Sequence, residues 1–232
     1  MGVLSSKYSS VVKTLRNNPF QRALDLDSVE ASNNLKGDVY AVVDYPFATV
    51  RTALQKPTSW CDVLILHLNT KYCKAQSDSK NAGIKMVVGK KTAQSLDDAY
   101  PVDLNYQLMR ADQHYLGVKL NADEGPMGTR DFQIALEAIP IENNKTFIHF
   151  TYAYSYGMAG GLAMKAYLAS KGSNKVGFTI TGHAADASPQ YVQGVRGMVE
   201  RNTMRYYLAI DSYLASLSTP QDKQVKRSLY VN

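Results

Sequence analysis

Between Thr146 and Met158 the chain alternates strictly. Ile148, Phe150, Tyr152, Tyr154 and Tyr156 fall on one side of an extended strand, and His149, Thr151, Ala153 and Ser155 on the other. Period-two alternation predicts a strand with one buried face. Three of the five residues on that face carry a hydroxyl. A sealed core seldom buries several phenols, because each hydroxyl then needs a partner. The face therefore reads in one of two ways. It is the wall of a cavity for an amphipathic molecule, or a barrel-like core whose hydroxyls reach water at the rim.

The same patterning organises the rest of the chain. Val3, Leu4, Tyr8, Val11, Val12 and Leu15 recur at helical spacing and predict an amphipathic helix over 3–16, ended by Asn17-Asn18-Pro19. Residues 20–35 read as irregular. A strand is expected over 38–45, ended by Pro46, then a helix over 47–54 and, after Pro57, a short helix over 58–64 carrying the single tryptophan, Trp60. Strand-like segments follow at 65–75, 84–90, 104–112, 114–121, 130–141 and 145–158. A polar turn at 76–83, Glu124–Gly128 and Glu142-Asn143-Asn144 separate some of them. The short Asn143-Asn144 turn predicts a hairpin, and strands this closely spaced predict an antiparallel sheet. Beyond Gly160-Gly161 the expectations are a short helix over 162–170 and a strand over 176–182. Last comes a long helix over 189–217, capped by Ser188 with Pro189 in its first turn. At about 30 residues that helix would be ~45 Å long. Val192, Val195, Val199, Tyr206, Ala209, Tyr213 and Leu217 give it an apolar face that needs a sheet to lie on. Residues 218–232 read as a polar tail. No repeat or linker divides the chain, so one main domain is expected over 36–217, preceded by a helix and extended segment over 1–35.

Composition narrows the function classes. The chain has 232 residues, 45% of them hydrophobic, which suffices for a real core. Its net charge is +6, with a pI near 9.1. The basic residues are dispersed: Lys85/Lys90/Lys91 and Lys223/Lys226/Arg227 are the densest groups, and neither is interleaved with aromatics as a nucleic-acid surface would be. No apolar run of about 18 residues is present, and the first twenty residues contain no signal-peptide core. Cys61 and Cys73 lack metal-site spacing. They read either as a disulfide, which would imply a periplasmic or exported protein, or as two buried thiols in the cytoplasm.

The order of elements is a strand, two short helices, a run of antiparallel strands and one long C-terminal helix. Residues 37–75 (GDVYAVVDYPFATVRTALQKPTSWCDVLILHLNTKYCKA) and 189–217 (PQYVQGVRGMVERNTMRYYLAIDSYLASL) carry this pattern, and with them the chain resembles the START-like, or SRPBCC, superfamily. The resemblance implies an α+β helix-grip fold, in which a curved antiparallel sheet wraps a long C-terminal helix around an internal cavity. Members include lipid and sterol carriers, aromatic cyclases and hormone receptors, so the fold leaves function open. The N-terminal helix, and the helix-plus-strand insertion over 162–182, depart from the family pattern.

Strand parity nominates the ligand-facing residues: Tyr106, Arg110, Phe132, Ile134, Phe150, Tyr152, Tyr154 and Tyr156, with Val199, Asn202 and Tyr206 from the long helix. A buried Asn202 must be hydrogen-bonded, to a ligand or to the sheet. Arg110 suits a carboxylate or phosphate, and His114 shares strand parity with Leu116 and Val118. His67, His149 and His183 are read as structural or surface residues, because no nucleophile–base set or metal motif accompanies them. The leading expectation is binding, and transport or sensing, of a lipid-like molecule without cofactor, metal or nucleic acid. One alternative is a cyclase- or hydrolase-type enzyme using His114 and Arg110. The other is a protein-interaction module whose aromatic face is the interface. For the amphipathic segment over 162–168 the alternatives are transient membrane contact and packing on the sheet edge.

Overall fold

The computed structural model describes residues 2–15, 18, 20–77, 82–157, 161 and 175–217. The helix expected over 162–170, the polar tail over 218–232 and its basic cluster lie outside the described residues.

Helix α1 (Gly2–Val11) precedes a hairpin of β1 (Leu24–Ala31) and β2 (Asn34–Val43). Two short helices, α2 (Phe47–Leu54) and α3 (Pro57–Leu64), carry the chain to the far side of the sheet. From there β3 (Thr70–Ser77), β4 (Ala82–Val88), β5 (Tyr100–Ala111), β6 (Leu116–Glu124), β7 (Thr129–Ile141) and β8 (Lys145–Tyr156) return strand by strand. The return ends when β8 pairs with β2, giving one eight-stranded sheet in the order β1-β2-β8-β7-β6-β5-β4-β3. Every pairing in it is antiparallel. A second, two-stranded sheet joins β9 (Ile180–His183) to β10 (Pro189–Tyr191). Helix α4 (Gly194–Leu217), about 36 Å long, lies across β1, β2 and β8 and against α3. This is the α+β helix-grip arrangement.

The helix meets the sheet where the sequence removes a side chain. A Cβ on Gly37 of β2 would sit 2.2 Å from the Thr203 hydroxyl oxygen, so α4 crosses the sheet at a glycine. The main core fills the space between sheet and helices, with Trp60, Val63, Leu104, Leu120, Phe150 and Ile210 all at or near full burial. A smaller cluster forms on the opposite face, where Leu4, Val11 and Leu15 pack against Ile139 and Phe147.

Two elements differ from expectation. Residues 24–31 form an edge strand where irregular chain was expected. Only Leu24 and Ser28 of its eight residues are buried, so Asp25, Asp27 and Glu30 mask the alternation. Charged residues of this kind guard an unpaired sheet edge. The long helix starts at Gly194, not at Pro189. Ser188 spends its amide and hydroxyl on the Asp186 carboxylate, at 3.0 and 2.6 Å, and Pro189–Tyr191 pairs with β9. Gly194, at φ +67°, then turns the chain into the helix.

Candidate functional site

The alternation over 146–156 gives β8 two chemically different sides. Phe150, Tyr152, Tyr154 and Tyr156 are all buried and face the helix side. Their rings touch one another and the helix: Tyr152 lies 5.6 Å from Tyr154, 5.5 Å from Phe132 and 5.3 Å from Tyr206 of α4, centroid to centroid. Phe150 lies 6.1 Å from Tyr206. The space expected as a cavity is thus occupied here by packed aromatic rings. Ile134 and Val199 complete this wall, fully buried. Burial holds the Tyr152, Tyr154 and Tyr206 phenols above their usual range, so all three stay protonated donors. Tyr106 also faces inward, but its hydroxyl is committed to the Gln55 carbonyl at 2.7 Å, tying β5 to the end of α2.

Asn202 brings polar chemistry into this wall. Its Oδ1 accepts from Arg205 at 2.9 Å, and the side chain also lies beside the Tyr152 hydroxyl and the ring of His67. His67 stands in the turn between α3 and β3, 6% exposed, stacked on Tyr206 at 4.4 Å with 19° between the planes. Its Nδ1 accepts from the Asn69 amide at 3.3 Å, which places the ring proton on Nε2. Among the described residues Nε2 has no well-directed partner: Asn202 stands beside it without meeting hydrogen-bond geometry. Burial, with Arg205 close by, pushes the imidazole down to about 4, so it is neutral at physiological pH. The sequence reading passed over His67: its neighbours Leu66 and Leu68 sit in a turn, where alternation carries no information about facing.

The staple that closes this end is covalent. Cys61 of α3 and Cys73 of β3 are joined, with Cα atoms 5.3 Å apart. Of the two readings of this pair, the structure shows the disulfide.

Arg110 and His114 are elsewhere. A β-bulge between Leu108 and Arg110 shifts the register of β5 on β6, and the inward parity ends at Tyr106. Arg110 is exposed and ion-paired with Asp112. His114 belongs to the turn before β6, exposed, with its amide donating to Asp112 Oδ1 at 2.8 Å. Neither side chain faces the helix side, which contradicts the inward geometry expected of an Arg110–His114 catalytic pair. The aromatic face is covered by α4, so it is not a free interface either.

The outer side of β8 holds a different construction. His149 places Nε2 2.8 Å from Asp38 Oδ1 and Nδ1 3.0 Å from Glu137 Oε2, which links β2, β8 and β7. Two carboxylate contacts require both ring nitrogens to donate, so His149 is an imidazolium. Burial alone would lower its pKa, but the bonds to Asp38 and Glu137 outweigh burial and raise it. Asp38 also accepts from the Thr151 hydroxyl at 2.7 Å and pairs with Lys36 at 3.0 Å, while Tyr115 donates to Glu137 at 2.5 Å. Tyr40 stacks on the imidazolium at 4.3 Å. Glu137 and Asp38 are thus both members of this clamp.

No family model matches the sequence, and no curated protein matches it either. Among solved structures the chain is similar to human StAR-related lipid transfer protein 5, at 8% identity and a TM-score of 0.46, over 94% of this chain and 99% of that one. It is similar to a StAR-related lipid transfer protein fragment from Xanthomonas axonopodis, at 10% identity and a TM-score of 0.49, over 83% and 93%. It is also similar to the Zhui aromatase/cyclase from Streptomyces sp. R1128, at 11% identity and a TM-score of 0.47, over 84% and 97%. The likeness is one of chain arrangement. The assignment of a helix-grip fold rests on the strand order and on the helix laid across it.

Proposed function

We propose that the chain binds a hydrophobic or amphipathic small molecule between the sheet and α4, with His67, Asn202, Tyr152 and Tyr206 meeting its polar group and Phe132, Ile134, Phe150 and Val199 meeting its apolar part. The observation that carries this reading is the buried His67 Nε2–H, which has no well-directed partner among the described residues and is set among phenols on the helix side. A buried donor left unsatisfied costs about 1–3 kcal/mol, and a ligand oxygen removes that cost. The group recognised is therefore an acceptor, such as a carbonyl or ether oxygen, on a neutral molecule. None of these four side chains carries a negative charge, so nothing among them balances an ammonium. The aromatic packing between the sheet and α4 then has to yield to the ligand. The Cys61–Cys73 disulfide favours an oxidising compartment for this binding.

Native mass spectrometry of the purified protein, followed by solvent extraction, tests the reading. A stoichiometric neutral amphiphile released by solvent, and lost from a His67→Phe/Asn202→Leu variant, is the expected result. A protein that stays at its sequence mass after exposure to a total lipid extract would overturn it.

A further inference from the structure

The inference concerns the opposite end of the molecule, where the N-terminal segment crosses the sheet. Two adjoining clefts open there. One, of about 580 Å3, lies between the end of β2 and α4; the other, of about 140 Å3, lies under α1. They share Ala23, Val42 and Lys145, so they form one trough. The small end is apolar, walled by Tyr8, Val12, Leu15 and Ile141. The large end is charged: Arg22 pairs with Asp211 of α4, and Lys145 with Asp44, both at 2.5 Å. Tyr207, buried beside Arg22, completes that wall.

The trough is built into the fold. Asn18 donates to the carbonyls of Arg22 and Leu24 at 2.8 and 2.9 Å and accepts from the Phe20 amide at 2.9 Å, which fixes the loop that presents Arg22. Ala23 is held by its carbonyl, which accepts from the Val42 amide at 2.9 Å. The four charges that line the large cleft, Arg22, Lys145, Asp44 and Asp211, alternate in sign and sum to zero, while Glu142 and Asn143 line the small one. A ligand with a single net charge would match one ion pair and oppose the other. A ligand carrying both charges can exchange partners with both pairs at once. The apolar end is close in size to cavities of roughly 150 Å3 that take one benzene ring. It holds a ring or a short alkyl group and is too small for a long acyl chain.

We propose that this trough is a second binding site, separate from the helix grip, for a small zwitterion bearing a ring-sized apolar group, of the amino-acid or short-peptide type. Its carboxylate would meet Arg22 and Lys145, its ammonium Asp44 and Asp211, and its side chain the apolar end.

Calorimetric titration with three probes that share the benzyl side chain and differ in the charge of their backbone groups tests this: phenylalanine, N-acetylphenylalanine and phenylalanine methyl ester. The zwitterion is expected to bind saturably, and about tenfold or more tighter than either singly charged analogue, since each loses one set of charge-assisted bonds. Arg22→Gln is expected to weaken it by a similar factor. Ala23→Trp, which plugs the junction of the two clefts, is expected to abolish binding. Asn202→Ala, in the grip, is expected to leave it unchanged, so the two sites succeed or fail separately. If Ala23→Trp does not fold, Lys145→Gln takes its place, with a weakening like that of Arg22→Gln. No saturable heat with phenylalanine, equal binding of all three probes, or full binding by a folded Ala23→Trp protein would overturn the proposal.

Discussion

His67 and His149 are the same side chain on the two sides of one sheet, and the sheet drives them in opposite directions. On the helix side, burial without a carboxylate keeps His67 neutral, with a proton on Nε2 and no well-directed acceptor for it among the described residues. On the outer side, Asp38 and Glu137 hold His149 charged and fully engaged. The difference separates a group prepared for a ligand from a group that has already spent its bonds on the fold. Perturbed titration alone would have flagged both; only the bonding inventory tells them apart.

The comparison breaks most easily at the aromatic wall. Phe150→Ala is expected to cost about 3–5 kcal/mol in urea unfolding if the helix side is packed solid; a loss under ~1 kcal/mol would mean that the wall already lines open space. Next is the covalent staple. Cysteine-to-serine substitution at Cys61 and Cys73 together opens a loop with a sequence separation of 12, and about 3 kcal/mol of stability should go with it. Full stability in reducing buffer would refute that share.

On the outer side, His149→Phe should cost about 1–3 kcal/mol, because it strands bonds to two carboxylates. The sign of its pH dependence is fixed by the direction of each shift. The His149 pKa is raised, so its contribution is complete below the ordinary imidazole range and is lost as pH rises through the raised value. The pKa values of Asp38 and Glu137 are lowered, Asp38 by its bonds to His149, Thr151 and Lys36 outweighing burial, and Glu137 chiefly by His149. Their contribution is lost as pH falls through those values. The gap in stability between the parent protein and His149→Phe should therefore peak in mildly acidic solution and shrink in both directions; a gap independent of pH would sink the clamp. His67 runs the other way. Its depressed pKa means stability is intact above about 6.5 and declines as pH falls toward about 4. The smallest effect expected is for Tyr206→Phe, within about 1 kcal/mol in stability but with weaker capture of an acceptor-bearing ligand. A loss of several kcal/mol would show that the hydroxyl is structural.

Much of this was legible in the sequence. The inward set on β8, both short helices and the middle of the α4 face follow from periodicity; at the ends of that face Val192 precedes the helix and Leu217 is exposed, with Leu214 buried instead. What escaped did so for physical reasons. The edge strand over 24–31 hides its alternation under acidic residues. Arg110 was misplaced because a bulge cancels parity, and a bulge has no marker in the run Leu108-Met109-Arg110. His67 and Glu200 were missed because their burial is tertiary. Glu200 sits mid-helix like a solvated acid, yet it is fully buried and accepts from Ser28, Thr179 and the Phe178 amide, anchoring the segment before β9 to α4. No local pattern announces such a bond.

The central claim is that the helix side offers a neutral donor to a ligand oxygen. Nitrogen-detected NMR of the histidine rings, before and after addition of methyl decanoate, tests it most directly. The account predicts that His67 is neutral at pH 7 with its proton on Nε2, that the ester shifts the His67 signals, and that the His149 signals stay in place as an imidazolium. An unchanged His67 spectrum at saturating ester, or a His67 already charged at pH 7, would contradict it.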